Sequence, residues 1–435
     1  MSSIDTTIVA TALPAIHASL RTTINWAGWT LTVYSLGMVI VLPIAGKISD
    51  ELGRRRVFFC AVAVFTLASL LCGLSVSIYL LIAFRAIQAL GGGALQPSAA
   101  GIVAEHFGHD RDRAIGLFGT IASGGQVIGP VVGGLFVGYL SWRWIFFVNV
   151  PIGIVLLAAL FKFVPDSPRT ARTRTDVRGL MLMGLFILAA NFGITSIGNR
   201  DTAIYDPVFL VPEAVALVAL GMFIRHTRRS AEPFIPMRLL RARGFAVMNS
   251  LNLLWGVVGF GLASLAPLYA EDRYHLAPLS AGTLLAARGV GAIVIGAAAA
   301  MALRRTGYRI PLAAGFIVVA IGSAAMAISP RLGLSPYVWL SIGAGLTGLG
   351  NGMANPASRN ACLQVAPDEV AAITGLRQMF VFTGIIFSVS TVTAILNRSA
   401  DPGLAQARIL WVAAGVLLVV MVPLVFRVPD HKGNW

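Results

Sequence analysis

Gly46-Lys47-Ile48-Ser49-Asp50-Glu51-Leu52-Gly53-Arg54-Arg55-Arg56 separates two apolar runs, residues 26–46 and 57–76. Each run has about the 20 mostly apolar residues that a membrane-crossing helix needs. Glycine permits a tight turn between closely packed helix ends. Asp50 can pair with a basic group or cap the N-terminus of a neighbouring helix. The arginines hold the connection at the cytoplasmic face. The stretch reads as a connection between two antiparallel membrane helices. If it pairs in one conformation and opens in another, it can act as a gate; a plain basic turn is the simpler reading of the same residues.

The rest of the chain repeats this pattern. Of its 435 residues, 57% are hydrophobic and only 12% charged, against about 25% charged in a soluble domain. No soluble core hides that much apolar surface, so lipid must be the solvent for much of it. Apolar runs fall at 1–20, 26–46, 57–76, 78–104, 114–140, 144–164, 179–197, 207–224, 245–270, 278–303, 310–328, 335–355, 370–396 and 407–426. The fold class predicted is an all-α integral membrane protein of about fourteen helices with short connections. The net charge of +15 would suggest nucleic acid in a soluble protein, but here the charges sit between the runs and set topology. With a cytoplasmic N-terminus, 24 of the 33 Lys and Arg fall in inward connections and 7 in outward ones. Arg85 and Arg288 lie inside runs. This bias places both termini in the cytoplasm of a multi-pass inner (plasma) membrane protein.

Two longer basic connections, near 165–178 and 225–244, bracket the seventh and eighth runs. They divide the chain into a six-helix bundle over 1–164, an inserted helix pair over 165–244 and a second six-helix bundle over 245–435. Internal repeats of this kind are common in secondary transporters. The basic connections can also touch anionic lipid. In the second half, Leu303-Arg304-Arg305-Thr306-Gly307-Tyr308-Arg309 is a degenerate copy of the opening stretch. Aligning Gly307 with Gly53 puts Arg309 at Arg55 and loses the acid of Asp50.

Several polar groups lie within the runs. Asp5, in Ile4-Asp5-Thr6-Thr7-Ile8-Val9, is a natural proton or cation site, because a carboxylate in an apolar helix can titrate during a cycle. An interfacial acid at a helix start is the alternative. Arg85 opens Arg85-Ala86-Ile87-Gln88-Ala89-Leu90-Gly91-Gly92-Gly93, and a guanidinium in a span costs about 2.5–3.5 kcal/mol on insertion scales. Such a residue faces the bundle interior or snorkels to the interface. The fifth run holds Gly124-Gly125-Gln126-Val127-Ile128-Gly129-Pro130-Val131-Val132-Gly133-Gly134. Proline kinks the helix, and Gly125, Gly129, Gly133 and Gly134 leave a smooth face that suits a pivot, or ordinary small-residue packing. Gln96, Asn252, Arg288 and Asn351 are candidates for lining a substrate cavity, and Arg288 could meet an anionic group. Glu213 sits in the helix pair. Trp26, Trp29, Trp142 and Trp144 read as interfacial anchors. Cys60, Cys72 and Cys362 show no metal spacing. There is no Gly-x4-Gly-Lys-Ser/Thr and no soluble stretch long enough for an ATPase, so energy comes from an ion or substrate gradient. No enzyme activity, cofactor, metal or nucleic-acid partner is expected.

These residues resemble the major facilitator superfamily, and within it the fourteen-helix branch of drug:proton antiporters, over nearly the whole chain. Gly46–Arg56 is similar to the superfamily loop motif, in which Gly46, Asp50, Gly53, Arg54 and Arg55 are the matching residues. Arg85–Gly93 resembles the motif whose arginine is associated with proton coupling. Gly129-Pro130-x2-Gly133-Gly134 resembles the antiporter motif. Asp5-Thr6-Thr7-Ile8-Val9 with Ala12-Leu13-Pro14, and Trp142-Arg143-Trp144-Ile145-Phe146-Phe147-Val148-Asn149-Val150-Pro151, are similar to helix openings of that branch. The resemblance implies two six-helix bundles with an extra central helix pair, alternating access, and coupling through Asp5 and Arg85. It also implies multidrug efflux by proton antiport, hence antibiotic resistance, of lipophilic or cationic compounds by a monomer, with or without a periplasmic adaptor. A uniporter or symporter of a small metabolite is the alternative, and a membrane receptor or scaffold a third reading. In the branch roughly ten apolar residues precede the motif aspartate. Only four precede Asp5, so the first helix is about two turns short and Met1 is read as an internal methionine or the edge of a truncation.

Overall fold

The computed structural model describes residues 1–107, 125, 128–165, 176–198, 202–230, 244–331, 333–363 and 370–428. Among them there are helices and no strand. Helices α1 (Ser2–Ser19), α2 (Ile24–Leu52), α3 (Arg54–Leu74) and α4 (Ile78–Phe107) are followed by α5 (Ile128–Tyr139) and α6 (Trp144–Phe163). Then come α7 (Val177–Ile197), α8 (Pro207–Arg229), α9 (Phe245–Ser264) and a short α10 (Ala266–Tyr274). The chain continues with α11 (Pro278–Thr306), α12 (Arg309–Ala327), α13 (Pro336–Leu363), α14 (Val370–Arg398) and α15 (Pro402–Val425). Each apolar run thus meets a helix wherever its residues are described. Eleven of the helices are long and apolar enough to cross a membrane. Helices α1 and α5 are shorter apolar helices, and α13 has the length but is diluted by Gly, Ser, Thr and Asn.

The chain forms two compact units: Met1–Gly193 with Leu210–Phe234, and Ile194–Phe209 with Ile235–Trp435. In the first unit, α4 packs on α2 and α3, and α6 packs on α3. Its core holds Ile8, Leu13, Phe65, Leu81, Ile145 and Phe146, all closed to solvent. In the second, α13 packs against α11 and α12, and α14 packs along α9. Leu265, Leu284, Tyr308, Leu340 and Ile386 are closed there. Large apolar side chains elsewhere point outward: the hydropathic span of α8 is only 17% buried, which suits a helix whose solvent is lipid.

Three expectations need correction. The stretch Gly46–Arg56 is not an open loop. Helix α2 runs on to Leu52, Gly53 alone makes the turn, and α3 begins at Arg54. Ile48, Glu51 and Leu52 carry no helix-breaking feature, so the helix ends only where glycine takes φ 94° and ψ 129°. Gly307, aligned with Gly53, likewise breaks the chain between α11 and α12 at φ 71°. The tryptophans are not uniformly interfacial. Trp29 and Trp142 are buried, Trp29 against Phe192 and Trp142 edge-on to Phe146, whereas Trp144 is exposed. Arg377, one of the 24 basic residues assigned to inward connections, is buried within α14 and donates to Asn355 Oδ1 at 2.6 Å.

Candidate functional site

Asp5 and Arg85 are 80 residues apart and meet in the middle of the first unit. Arg85 Nη1 lies 2.6 Å from Asp5 Oδ2, and both side chains have 0% exposure. That burial tells against both alternative readings: Asp5 lies in the first turn of α1 but is enclosed, not interfacial, and Arg85 does not snorkel. Helix propensity and apolar flanks fix α1 and α4, and the pair then joins them where water cannot compete.

The pair is held by neighbours on four helices. From Gln88, one turn beyond Arg85 on α4, Nε2 donates to Asp5 Oδ1 at 3.1 Å and to Ser69 Oγ at 3.1 Å. Gln88 Oε1 accepts from Arg85 Nη1 at 2.7 Å. Asn149 Nδ2 on α6 donates to Ser69 Oγ at 3.1 Å and reaches Asp5 Oδ1 at 3.4 Å. Arg85 Nε donates to the Thr30 carbonyl at 3.2 Å, and its guanidinium lies 4.0 Å from the Tyr34 ring centroid. A cation over an aromatic face gains electrostatic attraction, most of all when desolvated. Arg85 Nη2 is buried without a hydrogen-bond partner among the described residues. Sequence reasoning quoted Asn149 only within the Trp142–Pro151 stretch and did not single out Gln88, Ser69, Thr30 or Tyr34. The one readable signal was Gln88 at i+3 from Arg85 on the same helix face.

The glycine face of α5 lies on α1 beside Asp5. A Cβ at Gly129 would collide with Thr7 Oγ1 and stand 2.9 Å from the Ile4 carbonyl oxygen. One at Gly133 would collide with Thr11 Oγ1 and stand 2.9 Å from Ile8 Cγ1. Pro130 and Gly134 are also buried, and Gly125 lies half-buried just before the helix. Around the Gly53 turn, Arg54 Nη1 donates to the Gly101 carbonyl of α4 at 2.8 Å. Arg55 Nη2 reaches the Phe161 carbonyl of α6 at 3.4 Å. These are basic groups on late helical carbonyls, where the dipole favours them. The side chains of Gly46, Lys47, Asp50 and Glu51 lie outside the described residues.

The candidate cavity residues are dispersed. Gln96 is half-buried on α4, about 16 Å along the helix from Arg85. Asn252 spends its amide on helix packing, donating to Cys362 Sγ at 3.2 Å and accepting from Ser358 Oγ at 2.9 Å. Asn351 is buried on α13 with Oδ1 unpartnered among the described residues. Arg288, on α11, lines an internal cavity of the second unit that neither Asn252 nor Asn351 touches. In the helix pair, Glu213 of α8 packs onto Gly193 of α7.

A family model described as the Major Facilitator Superfamily matches residues 1–389 and 265–435. The chain belongs to the Major Facilitator Superfamily. Among curated relatives it is 33% identical to a multidrug resistance protein B homolog of Mycobacterium tuberculosis, over 85% of this chain and 69% of that one. It is 29% identical to the putative multidrug resistance protein MdtD of Cronobacter sakazakii, over 99% of this chain and 92% of that one. Among solved structures it superimposes on a D-xylose-proton symporter with a TM-score of 0.72 at 15% identity, covering 100% of this chain and 96% of the other. An auto-inhibited peptide transporter of the POT family gives 0.69 at 13% identity, with the same coverage. The superfamily's all-helical membrane fold is therefore this chain's fold. The protein is a multi-pass membrane transporter and not an enzyme.

Proposed function

We propose that this chain exports drugs or other small lipophilic or cationic compounds in exchange for protons, by alternating access. The observation that carries the reading is the fully enclosed Asp5–Arg85 pair on a hydrogen-bonded platform of Gln88, Asn149 and Ser69. Paired, the two charges cancel in a medium that strongly penalises a lone charge. Protonation of Asp5 leaves Arg85 uncompensated at a cost of about 3–5 kcal/mol, so the bundle must rearrange to give the guanidinium water or another acceptor. A proton arriving from outside thus changes which conformation is stable, and its release to the cytoplasm resets the pair. The glycine face of α5 lets α1 slide or tilt during this change, and the Gly53 turn with Arg54 and Arg55 closes the inward side. Names of curated relatives support drugs as the substrate class.

In this reading residues 165–244 are a helix pair inserted between two six-helix bundles. Both termini lie in the cytoplasm, and the protein works in the inner (plasma) membrane as a monomer, with a periplasmic adaptor as an optional partner. The test is substrate-induced proton release from proteoliposomes, run with cationic dyes on the intact protein and on Asp5→Asn. Release that disappears in Asp5→Asn supports antiport. Dye flux that ignores the pH gradient overturns it in favour of facilitated diffusion.

A further inference from the structure

The second unit holds a half-buried guanidinium, Arg288, that, unlike Arg85, has no acid beside it among the described residues. Arg288 Nη2 donates to the Gly259 carbonyl, and its guanidinium lies 5.4 Å from the Phe260 ring. Among the described residues it pairs with no carboxylate, and its buried Nε has no acceptor. Gly259 belongs to a π-helical turn, Gly256–Gly261, that interrupts α9. Such turns rearrange backbone carbonyls and recur at functional sites.

Arg288 and the π turn border a cavity of about 30 Å³, with Arg288 its only charged lining residue. A water needs roughly 10–15 Å³ by this measure, so a compact head group fits and a whole drug does not. Three of the other polar lining groups, Tyr269, Thr347 and Gln406, have committed a donor to backbone. Tyr269 Oη donates to the Met326 carbonyl at 3.0 Å, Thr347 Oγ1 to Ala344 at 2.7 Å, and Gln406 Nε2 to Leu265 at 3.0 Å. Among the described residues, the buried polar atoms of the lining that lack a partner are one charged donor, Arg288 Nε, and one acceptor, Gln406 Oε1, on a side chain 1% exposed. A buried charged N–H without an acceptor, and a buried acceptor without a donor, are each costly. Chloride would answer the first and not the second. Water would answer the second and leave the charge.

We propose that this cavity is a subsite for a carboxylate with an O–H or N–H donor close beside it, as in a hydroxy or amino acid head group. The inference rests on the transport reading above and narrows it: the protein handles acidic and zwitterionic substrates as well as cationic ones. The carboxylate takes Arg288 Nε and the neighbouring donor takes Gln406 Oε1, while the substrate's apolar part stays outside the cavity.

The test measures binding of mandelate, phenylacetate and mandelamide to the intact protein in phosphatidylcholine nanodiscs, which present no anionic lipid. Mandelate carries both groups, phenylacetate lacks the hydroxyl, and mandelamide lacks the charge. Mandelate is expected to bind at least about tenfold more tightly than mandelamide, the worth of one charge-assisted hydrogen bond. Arg288→Gln should remove that preference and Arg288→Lys keep part of it, while Gln406→Leu should abolish the preference for mandelate over phenylacetate. Equal binding of acid and amide, an unchanged preference in Arg288→Gln, or no binding of mandelate would each overturn the proposal. So would full displacement of mandelate by chloride against a methanesulfonate control. Should Arg288→Gln fail to fold, the Lys and Leu variants still decide. Proton release driven by a cationic dye is followed in the same samples: its persistence without acid preference removes the subsite alone, and its absence with acid preference removes antiport alone.

Discussion

The Asp5–Arg85 pair makes a quantitative demand on a double-mutant cycle. The atoms are 2.6 Å apart and both side chains are fully enclosed. Two unit charges about 4 Å apart attract by about 4 kcal/mol at an effective dielectric of 20. Removing one partner of such a pair costs about 3–5 kcal/mol, mostly because the other charge is stranded. Asp5→Asn removes the counter-charge of Arg85 and leaves it neutral acceptors alone, among them Gln88 Oε1 and the Thr30 carbonyl. Arg85→Gln strands Asp5, which keeps the amides of Gln88 and Asn149. The double variant has no stranded charge, so its loss should fall short of the summed single losses by about 3 kcal/mol. The assay is SDS-titrated unfolding of purified protein for all four forms. Strictly additive losses would refute the reasoning, since the two side chains would then be independent packing elements and not a charge pair. A double variant that is well folded and yet releases no protons would separate stability from coupling.

Three further outcomes follow from the geometry. Gly133→Val drives methyls into Thr11 and Ile8, and should cost about 1–3 kcal/mol and suppress transport, whereas Ala, with its smaller clash, should cost less; unfolding and dye flux measure both. Gly53→Ala places a Cβ at φ 94° and ψ 129°, and should destabilise by about 1–3 kcal/mol in the same unfolding assay; an unchanged midpoint would contradict the strained turn. In α10, beyond the span of α9, burial pushes the Glu271 carboxyl from an ordinary value near 4.5 up to about 7, with Asp272 adding to it. The folded state then holds a proton that the unfolded chain releases, so stability is greatest below about pH 4.5 and falls as pH rises through 7. Glu271→Gln should flatten the thermal midpoint between pH 5 and 8 and raise it at pH 8; an unaltered slope would show that Glu271 titrates normally.

Much of the architecture was legible because lipid imposes one rule on every span: the backbone must satisfy itself within a helix. The apolar runs, the Gly53 and Gly307 breaks and the unusual charges at Asp5, Arg85 and Arg288 all follow from local sequence. The end of α2 was misread because glycine marks a turn only where the backbone needs a positive φ. Gly46 resembles Gly53 in the sequence, yet it lies inside the helix. Trp142 was misread for a related reason. Its place near a helix end suggests an interface, while its burial against Phe146 depends on which neighbour covers it.

The sequence alone determined that the chain is a membrane protein of many helices, roughly where those helices lie, and which charges are costly enough to require an explanation. Tertiary structure alone decided who answers those charges. Asp5 and Arg85 are brought together across 80 residues, Gln88 and Asn149 are turned toward Asp5, and Arg288 is left facing a cavity without an acid. The physical reason is one of range. Helix formation and membrane insertion are set by neighbours a few residues away, whereas pairing of buried charges depends on distances between helices that no local pattern encodes.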